Sequence, residues 1–201
     1  PAAKRNILGV IEKAGLDIGK DVIKHRAYGQ KITAILGGKA THPVCGLPGG
    51  VSKGLSKDEV KEIKDMTASC HTFAKFTLGL FDDIVLKNKA YVEMIRSDSY
   101  TLKTYNMGLV DKHNKLNFYD GLIRVTDQEG NEVEKFNGKD YTKHIAEHVE
   151  EWSYMKFPYL KSIGWHGLVD GKNSGVYRVG PLGRLNVAEG IATSDAEKEY
   201  K

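Results

Sequence analysis

Between residues 3 and 14 the apolar positions Ile7, Val10, Ile11 and Ala14 recur at helical spacing, and Gly15 breaks the run, which predicts a first helix. A second is expected from about Asp17 through Val22, Ile23, Ala27, Ile32 and Ile35. It should end at Gly37-Gly38, where glycine can take the left-handed conformation that closes a helix. Residues 37–54, dense in Gly and Pro, follow as a loop. At Leu55-Ser56-Lys57-Asp58-Glu59-Val60 the signal sharpens: Ser56 caps, Glu59 completes a capping box, and Leu55 can staple onto Val60. The helix that starts there is predicted to keep Val60, Ile63, Thr67, Cys70, Ala74, Thr77, Phe81 and Ile84 on one face through about Asn88, with a short helix over 91–95 beyond it.

From about Tyr105 to Tyr141 the period changes to alternation, in Leu116-Asn117-Phe118-Tyr119 and in Leu122-Ile123-Arg124-Val125-Thr126, with Gln128-Glu129-Gly130-Asn131 as a turn. Aromatic and glycine-rich sequence from 152 to 175 offers short strands and turns, and a last helix is expected near 181–188, with Pro181 in its first turn. The fold class is therefore α+β: a mainly helical core segment with a small antiparallel β-sheet insertion. Its parts are helical sequence over 1–98, β-rich sequence over 105–180 and the start of a C-terminal helix over 181–201.

Composition narrows the function classes. With 40% hydrophobic and 28% charged residues the chain can bury a core, and no stretch reaches the roughly 18 apolar residues of a membrane helix. The 30 Lys and Arg are interleaved with 26 Asp and Glu rather than gathered in a stripe, which argues against nucleic-acid binding. Cys45 and Cys70 form neither a disulfide framework nor a paired metal knuckle, so a reducing cytoplasm is the expected compartment. The chain starts without Met at Pro1 and stops in helix-forming sequence at Lys201, as an excised segment would.

Three places could carry chemistry. His144-Ile145-Ala146-Glu147-His148 has the order H-x-x-E-H, which on a helix supplies two zinc ligands and a glutamate base, against the plainer reading of structural or surface histidines. Cys70-His71 would need thiolate and base facing each other, yet neighbours on a helix point about 100° apart, so Cys70 reads as a small buried residue on the apolar face. The loop from Gly37 to Gly50 is long for a helix connection. Its glycines permit unusual backbone angles, Pro43 and Pro48 stiffen it, and it can present Lys39 and His42 at fixed positions.

That loop, G-G-K-x-x-H-P-x-x-x-x-P-G-G, resembles an internal motif of nickel–iron hydrogenase large (alpha) subunits. Glu147-His148-Val149-Glu150-Glu151-Trp152-Ser153-Tyr154, Lys156-Phe157-Pro158-Tyr159 and Val179-Gly180-Pro181-Leu182-Gly183-Arg184 resemble three later landmarks in the same order. The wording is closest to the cytoplasmic multi-subunit type, viologen-reducing or non-deazaflavin-reducing and associated with heterodisulfide reductase. Gly183 stands where the family commonly has alanine, a change that weakens the local helix by up to about 1 kcal/mol.

The resemblance implies that residues 1–201 are the central scaffold of a large subunit whose parent oxidises or evolves hydrogen at a Ni–Fe centre and passes electrons to iron–sulfur clusters. The family's four thiolates come as two C-x-x-C pairs, absent here, so no cofactor and no catalytic or metal-binding residue is expected in the fragment, and no activity from it alone. The expected partners are a small subunit carrying iron–sulfur clusters and further electron-transfer subunits, with no nucleic acid and no membrane span. Lys39 and His42 match loop residues that face the small subunit near its closest cluster, where His42 would donate a hydrogen bond. Two other classes stay open: an electron-transfer interaction module that docks its partner through the same loop, and a zinc hydrolase using His144, Glu147 and His148.

Overall fold

Local capping sets where the first helices begin and end. The computed structural model describes residues 2–201, which divide into two units, one reaching to Arg96 and the other Ser97–Lys201. In the first, the Asn6 side chain accepts from the Gly9 amide at 3.0 Å, so helix α1 spans Ile7–Ala14 rather than starting near residue 3. Helix α2 is Leu16–Gly37, closed by Gly38 in the left-handed conformation at φ 82°. A short hairpin, β1 (Gly46–Leu47) with β2 (Gly50–Val51), lies in the loop that follows.

Helix α3 is Lys57–Phe81, and both halves of its capping box form: Glu59 N–H donates to Ser56 Oγ at 3.1 Å and Ser56 N–H to Glu59 Oε2 at 2.9 Å. The face that α3 turns to α2 is centred on Met66 and Phe73 and leaves Ala74 and Phe81 exposed, a rotation from the expected stripe. The reason is on α2, where His25 stacks on Phe73 with centroids 4.2 Å apart and its Nε2 lies 3.1 Å from Ser69 Oγ. Nor does α3 run as regular helix to Asn88. Asp82–Leu86 forms a wide π turn, closed by Lys87 N–H donating to Asp82 O at 3.0 Å, and α4 (Lys89–Arg96) follows.

The second unit is built on a four-stranded sheet in the order β5-β4-β3-β8, from β3 (Tyr105–Val110), β4 (Leu122–Thr126), β5 (Glu132–Phe136) and β8 (Tyr177–Arg178). Strands β3, β4 and β5 pair antiparallel, and β8 joins β3 in parallel. The turn after β4 falls where the sequence places it, with Asp127 Oδ1 accepting from the amides of Glu129 and Asn131. Residues 116–119 are not a strand beyond one bridge at Leu116. Asn117 Oδ1 accepts from Tyr119 N–H at 3.2 Å, and this side-chain turn replaces the ladder.

One helical turn, α5 (Tyr141–His144), leads into a hairpin of β6 (Ile145–Val149) and β7 (Lys156–Leu160). Tyr105, Met107, Val125, Phe136 and Leu160 form the core, with Ile123, Ile145, Ile163 and Tyr177 packed against it. On the other face of the sheet lies α6 (Gly180–Val187), followed by α7 (Ser194–Tyr200). A Cβ on Gly183 would stand 2.5 Å from Arg178 O, so glycine here serves close approach to β8 as well as loosening the helix. The fold is α+β, and among the described residues no helix is long and apolar enough to cross a membrane.

Candidate functional site

The loop after α2 is held at three places. Val44 N–H donates to Gly37 O at 2.9 Å, Ser52 N–H donates to Cys45 O at 2.8 Å, and Lys53 Nζ reaches Glu59 Oε1 at 2.6 Å, which ties the loop's end to the first turn of α3. Leu47-Pro48-Gly49-Gly50 is the tip of the β1–β2 hairpin. Proline pre-sets the second position, and Gly49, at φ 85°, supplies the left-handed third position of a type II turn. Glycine and proline thus give this connection a defined shape despite its length.

The loop displays what the sequence suggests it could. Lys39 and His42 are both exposed, and neither makes a hydrogen bond or ion pair among the described residues. Val44, Leu47 and Val51 beside them are more than half exposed. His42 has φ 51°, one of two non-glycine residues in the left-handed region among the described residues. Lys53 and the Ser56 amide hold the Glu59 carboxyl well below the usual range, at about 2. The loop therefore carries a basic pair, a small apolar rim and a charged anchor, and no nucleophile paired with a base.

The H-x-x-E-H constellation does not assemble. The helical turn ends at His144, and Ile145–Val149 is extended because it pairs with β7, so Glu147 and His148 point to opposite faces. Each side chain has another partner: His144 Nδ1 lies 2.7 Å from Glu134 and the ring stacks on Phe136, Glu147 pairs with Lys156 at 2.8 Å, and His148 stacks on Trp165 with Nε2 2.9 Å from Glu150. Among the described residues no group of three or more His, Cys, Asp or Glu could hold a metal ion. The zinc reading ends there. Cys45 and Cys70 are free thiols, and Cys70 is half-buried rather than fully buried as expected.

Sequence reasoning missed an apolar groove of about 570 Å³ in the second unit, lined by Leu116, Phe118, Pro181, Arg184, Leu185 and Ile191 among others. The Arg184 guanidinium lies 5.3 Å from the centre of the Phe118 ring. The Gly-Pro-x-x-Arg order places Pro181 and Arg184 one helical turn apart, the single hint in the sequence that they share a face.

No protein-family model matches the chain. It is similar to an F420-non-reducing hydrogenase iron-sulfur subunit of Archaeoglobus profundus, 46% identical over 187 residues that cover 93% of this chain and 38% of the relative. It is 40% identical to a vhu-type F420-non-reducing hydrogenase subunit of Methanocaldococcus jannaschii over 199 residues, 99% of this chain and 44% of the relative. It is 36% identical to the NAD-reducing hydrogenase HoxS subunit beta of Cupriavidus necator over 204 residues, 98% of this chain and 39% of the relative. A solved NAD+-reducing NiFe-hydrogenase, in its H2-reduced state, matches with a TM-score of 0.73 and 28% identity, over all of this chain and 42% of that one. The chain spans about two fifths of the length of the relatives it matches.

These likenesses support hydrogenase and correct the subunit. The Archaeoglobus relative is named an iron-sulfur subunit. On that ground the assignment to a nickel–iron large-subunit scaffold is withdrawn, together with the expectation that iron–sulfur clusters belong to partners alone. The residues present do not fit such a group. A cluster takes about four thiolates, the chain has two cysteines, and no ligand group forms among the described residues. They make no complete cluster site.

Proposed function

We propose that the chain is part of the electron-transfer subunit of a larger hydrogenase assembly, acting as an interaction module whose loop 37–54 docks a partner protein. The observation that carries this is the 46% identity, over 93% of the chain, to a protein named a hydrogenase iron-sulfur subunit. The loop's build supports the docking role. Val44, Leu47 and Val51 offer apolar area whose removal from water favours association by roughly 25 cal/mol per Å². Lys39 and His42, exposed and without partners among the described residues, supply direction: a cation that steers encounter and a ring N–H that donates once the surfaces meet. The partner is another subunit of the hydrogenase assembly that exchanges electrons with this one, and the assembly works in the cytoplasm, as the unpaired Cys45 and Cys70 suggest.

The test is binding between subunits in the complete assembly. Lys39→Ala combined with His42→Ala should weaken association by about tenfold or more, a loss of about 1.4 kcal/mol, and slow hydrogen-dependent viologen reduction in step, while the helix content is unchanged. Association equal to wild type would remove the loop from the interface.

A further inference from the structure

Two features of the loop go beyond what a helix ending requires. Gly38 alone closes α2, since its left-handed backbone and its N–H donated to Ala34 O at 2.9 Å complete the cap. Gly37 is still helical and buried, and nothing in the cap calls for glycine there. What calls for it is Pro43: a Cβ on Gly37 would stand 2.6 Å from the Pro43 Cβ and 3.2 Å from its Cγ. The proline ring lies against the bare backbone of the helix end, and the next residue returns a hydrogen bond, Val44 N–H to Gly37 O, to the same glycine.

The second feature is His42. A residue before proline is driven by the ring's Cδ toward extended backbone, yet His42 sits at φ 51°. Histidine visits the left-handed region more readily than most side chains, but left-handed and pre-proline together is a conformation that persists only where surrounding contacts over-determine it. The contacts flanking it are those of Pro43 and Val44 with Gly37.

We infer that the packing of Pro43 on Gly37 is a latch that holds His42 in its left-handed conformation and so fixes how the loop presents Lys39 and His42 to a protein partner. This rests on the docking role proposed above. Gly37 and Pro43 are positioning residues: they need not touch the partner, and they act through the shape of residues 38–44. The pre-set loop forgoes the ordering cost that a mobile loop would meet on binding.

The experiment uses the complete protein and reads two quantities, hydrogen–deuterium exchange of the Val44 amide before assembly and association with the partner. Gly37→Ala should speed Val44 exchange at least tenfold and weaken association about tenfold, with the helical circular dichroism retained. Pro43→Gly, which adds no atoms and so carries no clash, should do the same. Because both break one contact, the double variant should be no more than about twofold worse than Pro43→Gly alone. Unchanged Val44 exchange in Pro43→Gly overturns the latch, as does full additivity of the two substitutions. Lys39→Ala combined with His42→Ala separates the two ideas: if that pair leaves association unchanged the docking role fails, while the Val44 exchange rates still decide the latch.

Discussion

In the unit that reaches to Arg96, Met66 is the single apolar side chain buried among the described residues, while Ile7, Leu8, Leu16, Ile23 and Phe81 stand exposed. In Ser97–Lys201, Val110, Val125, Leu160 and Val187 are fully buried, and the Arg124 guanidinium is enclosed among Glu132, Glu189 and the Val187 carbonyl at 2.7–2.8 Å. The first unit is specified by local devices: the Asn6 cap, the Ser56–Glu59 box, the Lys53 anchor. The second is specified by residues far apart in sequence, with Leu160 of β7 packed against Tyr105 and Val125. Caps can dictate where a helix starts without burying anything, whereas a sheet exists only when its far partners arrive. Both units expose large apolar side chains, Phe118, Trp152 and Tyr154 in the second among them, so what separates the two is the buried core that the second adds.

The contrast can be broken most forcefully at Leu160. Leu160→Ala should cost about 2–5 kcal/mol in chemical denaturation followed by tryptophan fluorescence, because Trp152 and Trp165 both report on the second unit. Ile23→Ala, at an exposed position, should stay within about 0.5 kcal/mol; equal losses at the two sites would end the distinction.

A smaller effect is expected at the start of α3. Ser56→Ala should cost about 1 kcal/mol, read by helical circular dichroism during thermal melting, with the fluorescence transition left in place. A coincident shift of both signals would show that the two units unfold together.

The smallest effect is one of pH. Glu59 has its carboxyl lowered from 4.5 to about 2 when folded, so its contribution is complete above about pH 4.5 and is lost as pH falls toward 2. Glu59→Gln should flatten the acid dependence of α3 in that window. An unchanged acid profile would mean that the Lys53 anchor adds nothing to the helix.

How much was legible follows the same division. The end of α2 and the start of α3 could be read because Gly38, Ser56 and Glu59 act within a few residues of themselves. The turn after β4 was legible for the same reason, through Gly130 and Asn131. Residues 116–119 misled because alternation cannot show that Asn117 will bond its own backbone. At His144–His148 the plainer reading of structural histidines holds, but the extended backbone was not legible because the strand that extends it, Lys156–Leu160, lies beyond any local window. The loop was visible as an unusually long Gly–Pro connection carrying Lys39 and His42. The Gly37–Pro43 contact and the backbone of His42 were not, since both are properties of a closed shape. The four ordered motifs pointed to a hydrogenase, and reading them as those of its large subunit is the part that the likeness to a named iron-sulfur subunit overturns.

The wide turn at Asp82–Leu86 also bears on how the end of α3 tolerates change. A π turn holds one more residue than the α-helical ladder needs, so the residues of this last turn lie out of phase with α3 by one position, a rotation of about 100°. Removing a single residue there would let the ladder close with ordinary i→i+4 bonds as far as Lys87, while α4 keeps its own start, set by Asn88, whose Oδ1 accepts from the Ala90 and Tyr91 amides. A one-residue gap in this segment would therefore be taken up at the end of α3, with the break at Lys87 and Asn88 serving as the joint that spares the next helix.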